Sequence, residues 1–261
     1  IPEFMRMRVS WMRVQRFSND VPANIDPSAI KPPEKLPVSI ESIKAEGVMF
    51  EYKSENEIER FRVGPLDFEA RKGEIIFIVG GNGSGKTTLA KMLTGLYIPE
   101  GGVLRVNGVE KANYEVGEFF SVVFSDYHLF EKLYSIDLTG KEEDIQRYLK
   151  LLRLEQKVTL GDKAFSTVDL SGGQRKRLAL LQCYLEGHPI YLFDEIAADQ
   201  DPEFRKFFYR DLLMRMKAEG KIVIAITHDD HYFDVADRVI KMDMAQIETV
   251  SSDYRTTAAH A

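Results

Sequence analysis

One short segment constrains the fold of this 261-residue chain more than any other. Its letters, Gly80-Gly81-Asn82-Gly83-Ser84-Gly85-Lys86-Thr87, fit the pattern G-x-x-x-x-G-K-[ST], with an apolar run at 74–79 before it and a helical pattern at 86–94 after it. Glycines let a backbone wrap around a ligand without Cβ clashes, and the N–H groups at a helix N-terminus attract anions. A glycine-rich turn that matches by chance is the alternative. The flanking strand and helix favour a phosphate-binding loop.

The polar side chains of this loop have expected roles. Lys86 supplies a positive charge to the β- and γ-phosphates of a nucleotide, and the Thr87 hydroxyl is placed to bind Mg²⁺. The loop predicts the following nucleotide-binding residues: Gly80, Gly81, Asn82, Gly83, Ser84, Gly85, Lys86, Thr87 and Thr88.

Two carboxylates end a second apolar strand pattern, Ile190-Tyr191-Leu192-Phe193-Asp194-Glu195. Carboxylates are costly in a core unless they are paired or bind a metal, and the carboxyl ends of parallel strands face a ligand crevice. We therefore expect Asp194 to hold Mg²⁺, directly or through water, and Glu195 to polarise the attacking water as a general base. Taken alone, the pair could also be structural ion-pair partners. Together with a phosphate loop it indicates nucleotide hydrolysis.

Strand and helix patterns alternate along the rest of the chain. The strand patterns lie at 39–52, 61–68, 74–79, 103–109, 118–124, 189–193 and 222–227, and the helix patterns at 86–94, 142–154, 171–186 and 202–218. This order predicts an α/β fold with a mostly parallel sheet core, and the early strands suggest an antiparallel β annex. Asn107-Gly108 predicts a hairpin turn.

A third motif, Leu170-Ser171-Gly172-Gly173-Gln174, resembles the signature sequence of ATP-binding cassette (ABC) proteins. In order, the phosphate loop, this motif, the acidic strand end and a late histidine resemble an ABC transporter nucleotide-binding domain over about residues 39–245. The resemblance implies a P-loop NTPase fold with a helical signature subdomain at about 126–187. On physical grounds the motif predicts a second helix N-terminus that is suited to binding anions. A helix with an ordinary serine N-cap and no ligand is the alternative, because it has the same sequence pattern.

The resemblance also assigns roles to single residues. It implies that two copies pack head to tail, so that Ser171, Gly172, Gly173 and Gln174 of one copy cap the γ-phosphate held by Lys86 of the other. Tyr52 matches the aromatic residue that stacks on adenine, with Phe50 as the alternative. Asp199 matches a loop that communicates across the dimer. His228 matches a switch histidine at the γ-phosphate, which completes a catalytic set with Glu195 and Lys86.

One position departs from the family pattern. A glutamine that ligates Mg²⁺ usually follows the strand that ends here at Phe124, and Ser125 stands in its place with Asp126 beside it. Serine can ligate Mg²⁺ but is too short to span the usual distance, so either Asp126 substitutes for the glutamine or a water fills the gap. The expected metal ligands are therefore Thr87, Asp194 and Ser125.

The segments around this departure, with 194–202 and 228–233, resemble the bacterial cyclic-peptide and siderophore exporters of the pyoverdine-exporter type. In that group the membrane and ATPase domains share one polypeptide, so a transmembrane domain is an implied partner and the cytoplasmic face of the inner membrane the implied location, with this piece soluble by itself. We expect a cloning remnant at 1–4, a linker from a transmembrane domain at 5–38, the nucleotide-binding domain at 39–249 and a tail at 250–261.

Other functions of the cassette fit less well. Chromosome-maintenance and DNA-repair ATPases carry long inserts, for which 86–171 is too short, and a net charge of −6 argues against coating nucleic acid. Translation factors of this type hold two cassettes in one chain. A regulatory module that binds ATP with little turnover also stays open. The single cysteine excludes a disulfide scaffold, and no apolar run approaches the roughly 20 residues of a membrane helix.

Overall fold

The computed structural model describes residues 39–52, 61–133, 136, 138–161, 163–198 and 200–251, all within the compact unit Pro37–Ala261. The predictions for 1–38, for Asp199 and for 252–261 lie outside the described residues. Within the described part of the chain, no helix is both long enough and apolar enough to cross a membrane.

The elements follow one another in chain order as strands and helices of ordinary length. They are β1 (Ser42–Tyr52), β2 (Phe61–Arg71), β3 (Ile75–Val79), α1 (Lys86–Leu93), β4 (Gly101–Val106), β5 (Val109–Lys111), α2 (Asn113–Gly117), β6 (Phe120–Val123), α3 (Glu142–Leu151), β7 (Leu160–Gly161), β8 (Ala164–Phe165), α4 (Gly172–Glu186), β9 (Ile190–Asp194), α5 (Pro202–Lys206), a π-helical stretch (Phe207–Leu213), α6 (Met214–Ala218), β10 (Ile222–Ile226), a 3₁₀ turn (Asp230–Val235), β11 (Arg238–Asp243) and β12 (Gln246–Ser251).

The central sheet of the described residues has the strand order β12-β11-β3-β10-β9-β6. Every neighbouring pair in it is parallel except β11 with β12. The sequences of β3, β9 and β10 are continuous apolar runs, and such strands suit a sheet covered on both faces. The prediction of a mostly parallel sheet core is confirmed.

An antiparallel sheet of order β2-β1-β4-β5 forms the annex. The hairpin between β4 and β5 turns at Asn107 and Gly108, whose φ angles of 51° and 78° are those that the Asn-Gly pair adopts readily. The antiparallel annex and its hairpin are therefore confirmed.

The core lies on the two faces of the central sheet. Side chains alternate along β3, so Ile75 and Phe77 pack into one hydrophobic cluster while Ile76 and Ile78 pack into the other. The first cluster continues into α3 and α4, and the second into α1 and the annex. Because β3, β10 and β9 are adjacent, the loops that follow them meet at one edge of the sheet.

Several elements differ from the sequence predictions. No strand was expected after 222–227, yet β11 and β12 follow, and β12 ends at Ser251. A short helix, α2, precedes β6 and leaves it shorter than the predicted strand at 118–124. The expected helix 202–218 is interrupted by the π-helical stretch.

Candidate active site

The phosphate loop joins β3 to α1 with a backbone that excludes side chains at two points. Gly80 has a φ of 148°, and a Cβ there would lie 2.2 Å from the carbonyl oxygen of Met242 in β11. Gly85 immediately precedes α1 with a φ of 94°, in the left-handed region that favours glycine. The loop is therefore shaped by glycine at both ends, and it leads directly into a helix N-terminus.

Lys86 is the first residue of α1 and is buried. Its Nζ donates to the carbonyl oxygens of Gly80 and Gly81, at 2.8 Å each. Burial lowers the pKa of the Lys86 ammonium, and the nearby carboxylates of Glu195 and Asp194 oppose that shift. The loop carbonyls thus hold the Lys86 ammonium in place, and its positive charge is suited to binding a phosphate group.

Thr87 and Asp194 meet at the sheet edge. The Thr87 hydroxyl donates to Oδ2 of Asp194 across 3.1 Å, and Asp194 is only 1% exposed. Burial raises the pKa of the Asp194 carboxyl, the Thr87 hydrogen bond opposes this, and the charges of Glu195 and Asp126 add to it. A hydroxyl and a buried carboxylate side by side are hard oxygen donors, so these residues fit Mg²⁺. Among the described residues no group of three or more His, Cys, Asp and Glu side chains could hold a metal ion.

An aromatic group borders the same loop. The Tyr52 hydroxyl lies 2.8 Å from Oγ1 of Thr88, whereas Phe50 stacks on Tyr97 with ring centroids 4.4 Å apart. The Tyr52 side chain therefore faces the phosphate loop, whereas the Phe50 ring packs against Tyr97. A cavity of about 310 Å³ has Tyr52, Phe61 and residues 83–88 as its lining.

Glu195 and His228 extend from neighbouring strands. Glu195 follows β9 with a φ of 54°, uncommon for a residue with a side chain, and its N–H donates to the Ile226 carbonyl of β10. His228 lies two residues past β10, and its Nε2 is 3.2 Å from Oε1 of Glu195. The His228 side chain is 51% exposed, so its ring is accessible to a ligand at the sheet edge.

The signature motif begins α4 with a reciprocal cap. Ser171 accepts a hydrogen bond from the Gln174 N–H, and Oε1 of Gln174 accepts one from the Ser171 N–H. Gln200 anchors this end, because its Nε2 donates to the Gly173 carbonyl while its Oε1 accepts from Nε of Arg177. The free face lines a cavity of about 340 Å³ that includes Gly172, Gly173 and Gln200.

Ser125 lies in an exposed turn after β6. Asp126 beside it lies 3.8 Å from Nζ of Lys91, which extends from α1, and its charge contributes to the raised pKa of Asp194. Asp126 is thus electrostatically coupled to the Thr87–Asp194 pair, whereas no hydrogen bond links Ser125 to that pair in the described residues.

The predicted site residues therefore fall into two groups. The phosphate loop, Tyr52, Asp194, Glu195 and His228 meet at one edge of the central sheet. Gly172 and Gly173 line a different cavity, which shares no residue with the first, and Ser171 and Gln174 form the cap at the same end of α4. Asp199 lies outside the described residues.

Sequence reasoning missed Phe61 and Gln200. Phe61 in β2 lies opposite Tyr52 in β1. The sequence pattern does not fix the register of these two antiparallel strands, so it could not place the two rings together. Gln200 follows Asp199 directly in the chain, but no pattern marked its side chain as the anchor of α4.

Known proteins resemble this chain over the segment that carries the site. The ABC transporter family matches residues 63–198. The chain is 48% identical over 209 residues to the ATP-binding protein SyrD of Pseudomonas syringae pv. syringae, covering 77% of this chain and 37% of that protein. It is 34% identical over 197 residues to a probable amino-acid ABC transporter ATP-binding protein of Haemophilus influenzae, covering 68% of this chain and 76% of that protein. The chain thus spans little more than a third of the first relative.

Solved structures share the fold. A bacterial Atm1-family ABC exporter with ATP bound matches with a TM-score of 0.72 and 20% identity, over 97% of this chain and 46% of that one. A dimeric post-hydrolysis state of an ATP-binding cassette, bound to ADP and Pi, matches with a TM-score of 0.67 and 21% identity, over 80% of this chain and 98% of that one. Both likenesses concern the cassette fold alone.

Proposed function

The chain belongs to the ABC transporter family and is an ATPase domain of that family; from this premise we propose that it works as a head-to-tail homodimer, binding Mg-ATP between two copies and hydrolysing it to drive export. The transmembrane domain of the same transporter is the second proposed partner, which locates the domain at the cytoplasmic face of the membrane.

One observation carries the dimer proposal. The phosphate-loop cavity and the cavity at the start of α4 have no lining residue in common. Each is a helix N-terminus suited to an anion, and each is open on one side. A head-to-tail pair would complete both, since the α4 end of one copy then faces the phosphate loop of the other.

The proposed chemistry uses side chains of this chain at stated atoms. Lys86 binds the terminal phosphates, and Tyr52 and Phe61 contact the base. Thr87 and Asp194 hold Mg²⁺, which neutralises phosphate charge when it is bound. Water attacks the γ-phosphorus, a carboxylate oxygen of Glu195 takes its proton, and the bond to the β-phosphate oxygen breaks to release ADP.

His228 orients this reaction in the proposal. With Nε2 at 3.2 Å from Oε1 of Glu195, its ring lies beside the base that receives the proton. It can hold the water and the γ-phosphate relative to each other without leaving hydrogen-bond reach of Glu195.

A groove beside the signature helix supports a membrane-domain partner. Its volume is about 490 Å³, and its lining includes His128, Phe130, Val168 and Arg175. Phe130 is 53% exposed. An exposed aromatic side chain in a groove is suited to contact with a short segment of another domain.

The cargo class rests on the resemblance of 125–130 and 194–202 to exporters of cyclic peptides and siderophores. We propose a cargo of that class, because the same stretch holds the Ser125-Asp126 departure that is typical of the group. Its contacts would lie in the transmembrane domain.

The test is size-exclusion chromatography with light scattering on Glu195→Gln, with and without Mg-ATP. Removing the proton acceptor should trap the ATP-bound dimer, so the mass should double with Mg-ATP and steady-state turnover should fall at least about a hundredfold. The matched control is Glu155→Gln, an exposed glutamate distant in sequence from the motifs. Mass and turnover of Glu195→Gln that equal those of the control would contradict the proposal.

A second variant separates dimerisation from binding. Ser171→Arg should retain ATP affinity, since Ser171 does not line the phosphate-loop cavity, but should prevent the mass change when combined with Glu195→Gln. A dimer that still forms would exclude the α4 end from the interface.

A further inference from the structure

Three hydrogen bonds form a closed ring that links Tyr209 to the two residues on either side of His228, Thr227 and Asp229. The Tyr209 hydroxyl donates to Oδ2 of Asp229 at 2.9 Å and lies 2.6 Å from Oγ1 of Thr227. The Asp229 N–H donates to the same Thr227 oxygen at 3.0 Å. Since a phenol has one proton, its bond to Asp229 leaves the Thr227 hydroxyl as the donor to the phenol oxygen.

Thr227 and Asp229, which flank His228, therefore both form hydrogen bonds with the Tyr209 hydroxyl. Tyr209 is 1% exposed and Thr227 is 4% exposed, so this ring is shielded from water that could replace its bonds. The Thr227 N–H also donates to the Ile78 carbonyl of β3. Burial raises the pKa of the Tyr209 phenol, which keeps it protonated and able to donate.

Other contacts attach the same helix to the segment after β10. Arg205 lies 3.3 Å from Oδ1 of Asp229, and the Tyr209 ring stacks on Tyr232 with centroids 4.4 Å apart. Arg210 pairs with Asp234 in the 3₁₀ turn. The helix thus holds the chain on both sides of the exposed imidazole.

Tyr209 lies inside the π-helical stretch Phe207–Leu213. A π-helical turn holds more residues than an α-helical turn, is rare, and frequently occurs at functional sites. It changes the direction of the side chains within it relative to a continuous α-helix, so the helix geometry here is unusual at the residue that forms the ring.

We propose that Tyr209 is a positioning residue for His228, whose hydroxyl fixes the backbone at 227–229 and thereby the direction in which the imidazole faces Glu195. The inference rests on the proposed role of His228 in hydrolysis. Tyr209 touches neither the phosphate loop nor Glu195 through any hydrogen bond in the described residues, so its effect passes through the histidine.

The test is a double-mutant cycle of Tyr209→Phe and His228→Ala, with kcat and KM for ATP measured on each variant. Tyr209→Phe removes only the hydroxyl and should lower kcat about tenfold, because Thr227 and Asp229 lose their shared partner, with KM unchanged within about twofold. In the His228→Ala background the same substitution should have no further effect. Tyr191→Phe, at a buried tyrosine of β9, is the matched control.

The outcomes separate this inference from the function it rests on. If His228→Ala turns over like the unmutated chain, the proposed role of His228 fails. If His228→Ala is impaired and Tyr209→Phe is not, or if their effects multiply, the positioning role of Tyr209 is overturned.

A second measurement does not depend on turnover. In spectra of histidine-labelled protein, Tyr209→Phe should shift the imidazole resonances of His228 and leave those of His128 and His188 in place. Unchanged His228 resonances in a folded variant would overturn the proposal even if the isolated domain hydrolyses ATP slowly.

Discussion

The Thr87 hydroxyl donates to the Asp194 carboxylate across 3.1 Å, although 107 positions separate the two residues in the chain. This bond joins the first turn of α1 to the end of β9, and it gives a buried carboxylate a partner from the phosphate loop. Burial still raises the pKa of Asp194, so one hydrogen bond does not offset the cost of the charge. The charge of Asp194 is therefore disfavoured by burial, and a bound cation would offset that cost.

Asp194→Asn should stabilise the ligand-free protein at neutral pH. The variant keeps the acceptor for Thr87 and removes a disfavoured charge, so the melting temperature should rise by about 2–4 °C, equivalent to roughly 1 kcal/mol. Mg-ATP should raise the melting temperature of the unmutated chain more than that of the variant, which has lost a metal ligand but keeps the phosphate loop. Differential scanning calorimetry measures both, and a destabilised ligand-free variant would contradict the electrostatic argument.

The Asp194 effect also has a defined pH dependence. A carboxyl with a raised folded pKa binds more protons in the folded state than in the unfolded state, so its destabilising effect grows as pH rises through that pKa. The difference in melting temperature between Asp194→Asn and the unmutated chain should therefore be full at neutral pH and vanish toward pH 3.8, the ordinary pKa of the group. A difference that is constant with pH would show that charge is not its cause.

Lys86→Met should weaken ATP binding at least about tenfold, because a charge-assisted contact to phosphate is lost. Its hydrogen bonds to the Gly80 and Gly81 carbonyls are lost too, so loop order should be checked by the melting temperature. Isothermal titration calorimetry gives the affinity. Lys157→Met, at an exposed lysine, is the matched control and should bind ATP normally.

Phe61→Ala should weaken ATP binding about tenfold, since base–aromatic stacking is worth roughly 1–3 kcal/mol. Binding of inorganic tripolyphosphate, which lacks the base, should not change. Phe130→Ala removes another exposed phenylalanine, 53% exposed against 43% for Phe61, from a different cavity and is the control. Equal losses for ATP and tripolyphosphate would mean that Phe61 supports the loop rather than the base.

Asp126→Asn should weaken Mn²⁺ binding in the presence of a non-hydrolysable ATP analogue by roughly three- to tenfold, because a negative charge close enough to Asp194 to act on its pKa, and so close enough to attract the cation, is removed. Ser125→Ala should change it less, and Ser125→Gln should restore the reach of the usual side chain. Electron paramagnetic resonance titration of Mn²⁺ reports these affinities directly. A larger effect of Ser125→Ala than of Asp126→Asn would identify the serine as the ligand.

The central strands could be located along the chain because their hydrophobic patterns are unambiguous. The apolar runs of β3, β9 and β10 have few alternatives to a sheet buried on both faces. In β11 and β12 the apolar residues alternate with charged ones such as Lys241 and Glu248, and these strands were missed. Lys241 and Glu248 form a salt bridge between the two strands, which accounts for the charged residues. That contact can be inferred only once β11 is known to pair with β12.

The site was predictable where local sequence determines local geometry. The phosphate loop and the cap between Ser171 and Gln174 depend on residues only a few positions apart. Phe61, Gln200 and Tyr209 depend on contacts across the fold, and a single tyrosine in a helical pattern carries no sign that its hydroxyl reaches Thr227. The π-helical stretch adds to this, because periodicity at 202–218 predicts an uninterrupted α-helix.

That stretch also bears on how the chain can change length in evolution. Deleting one residue from an α-helix rotates everything beyond the deletion, but a π-helical segment can absorb the loss by reverting to α-helical hydrogen bonding. Relatives that are one residue shorter between Asp201 and β10 should therefore keep the helix and the sheet. In such relatives a tyrosine at the position of Tyr209 would face a different direction, so another contact would have to hold the segment that carries the histidine.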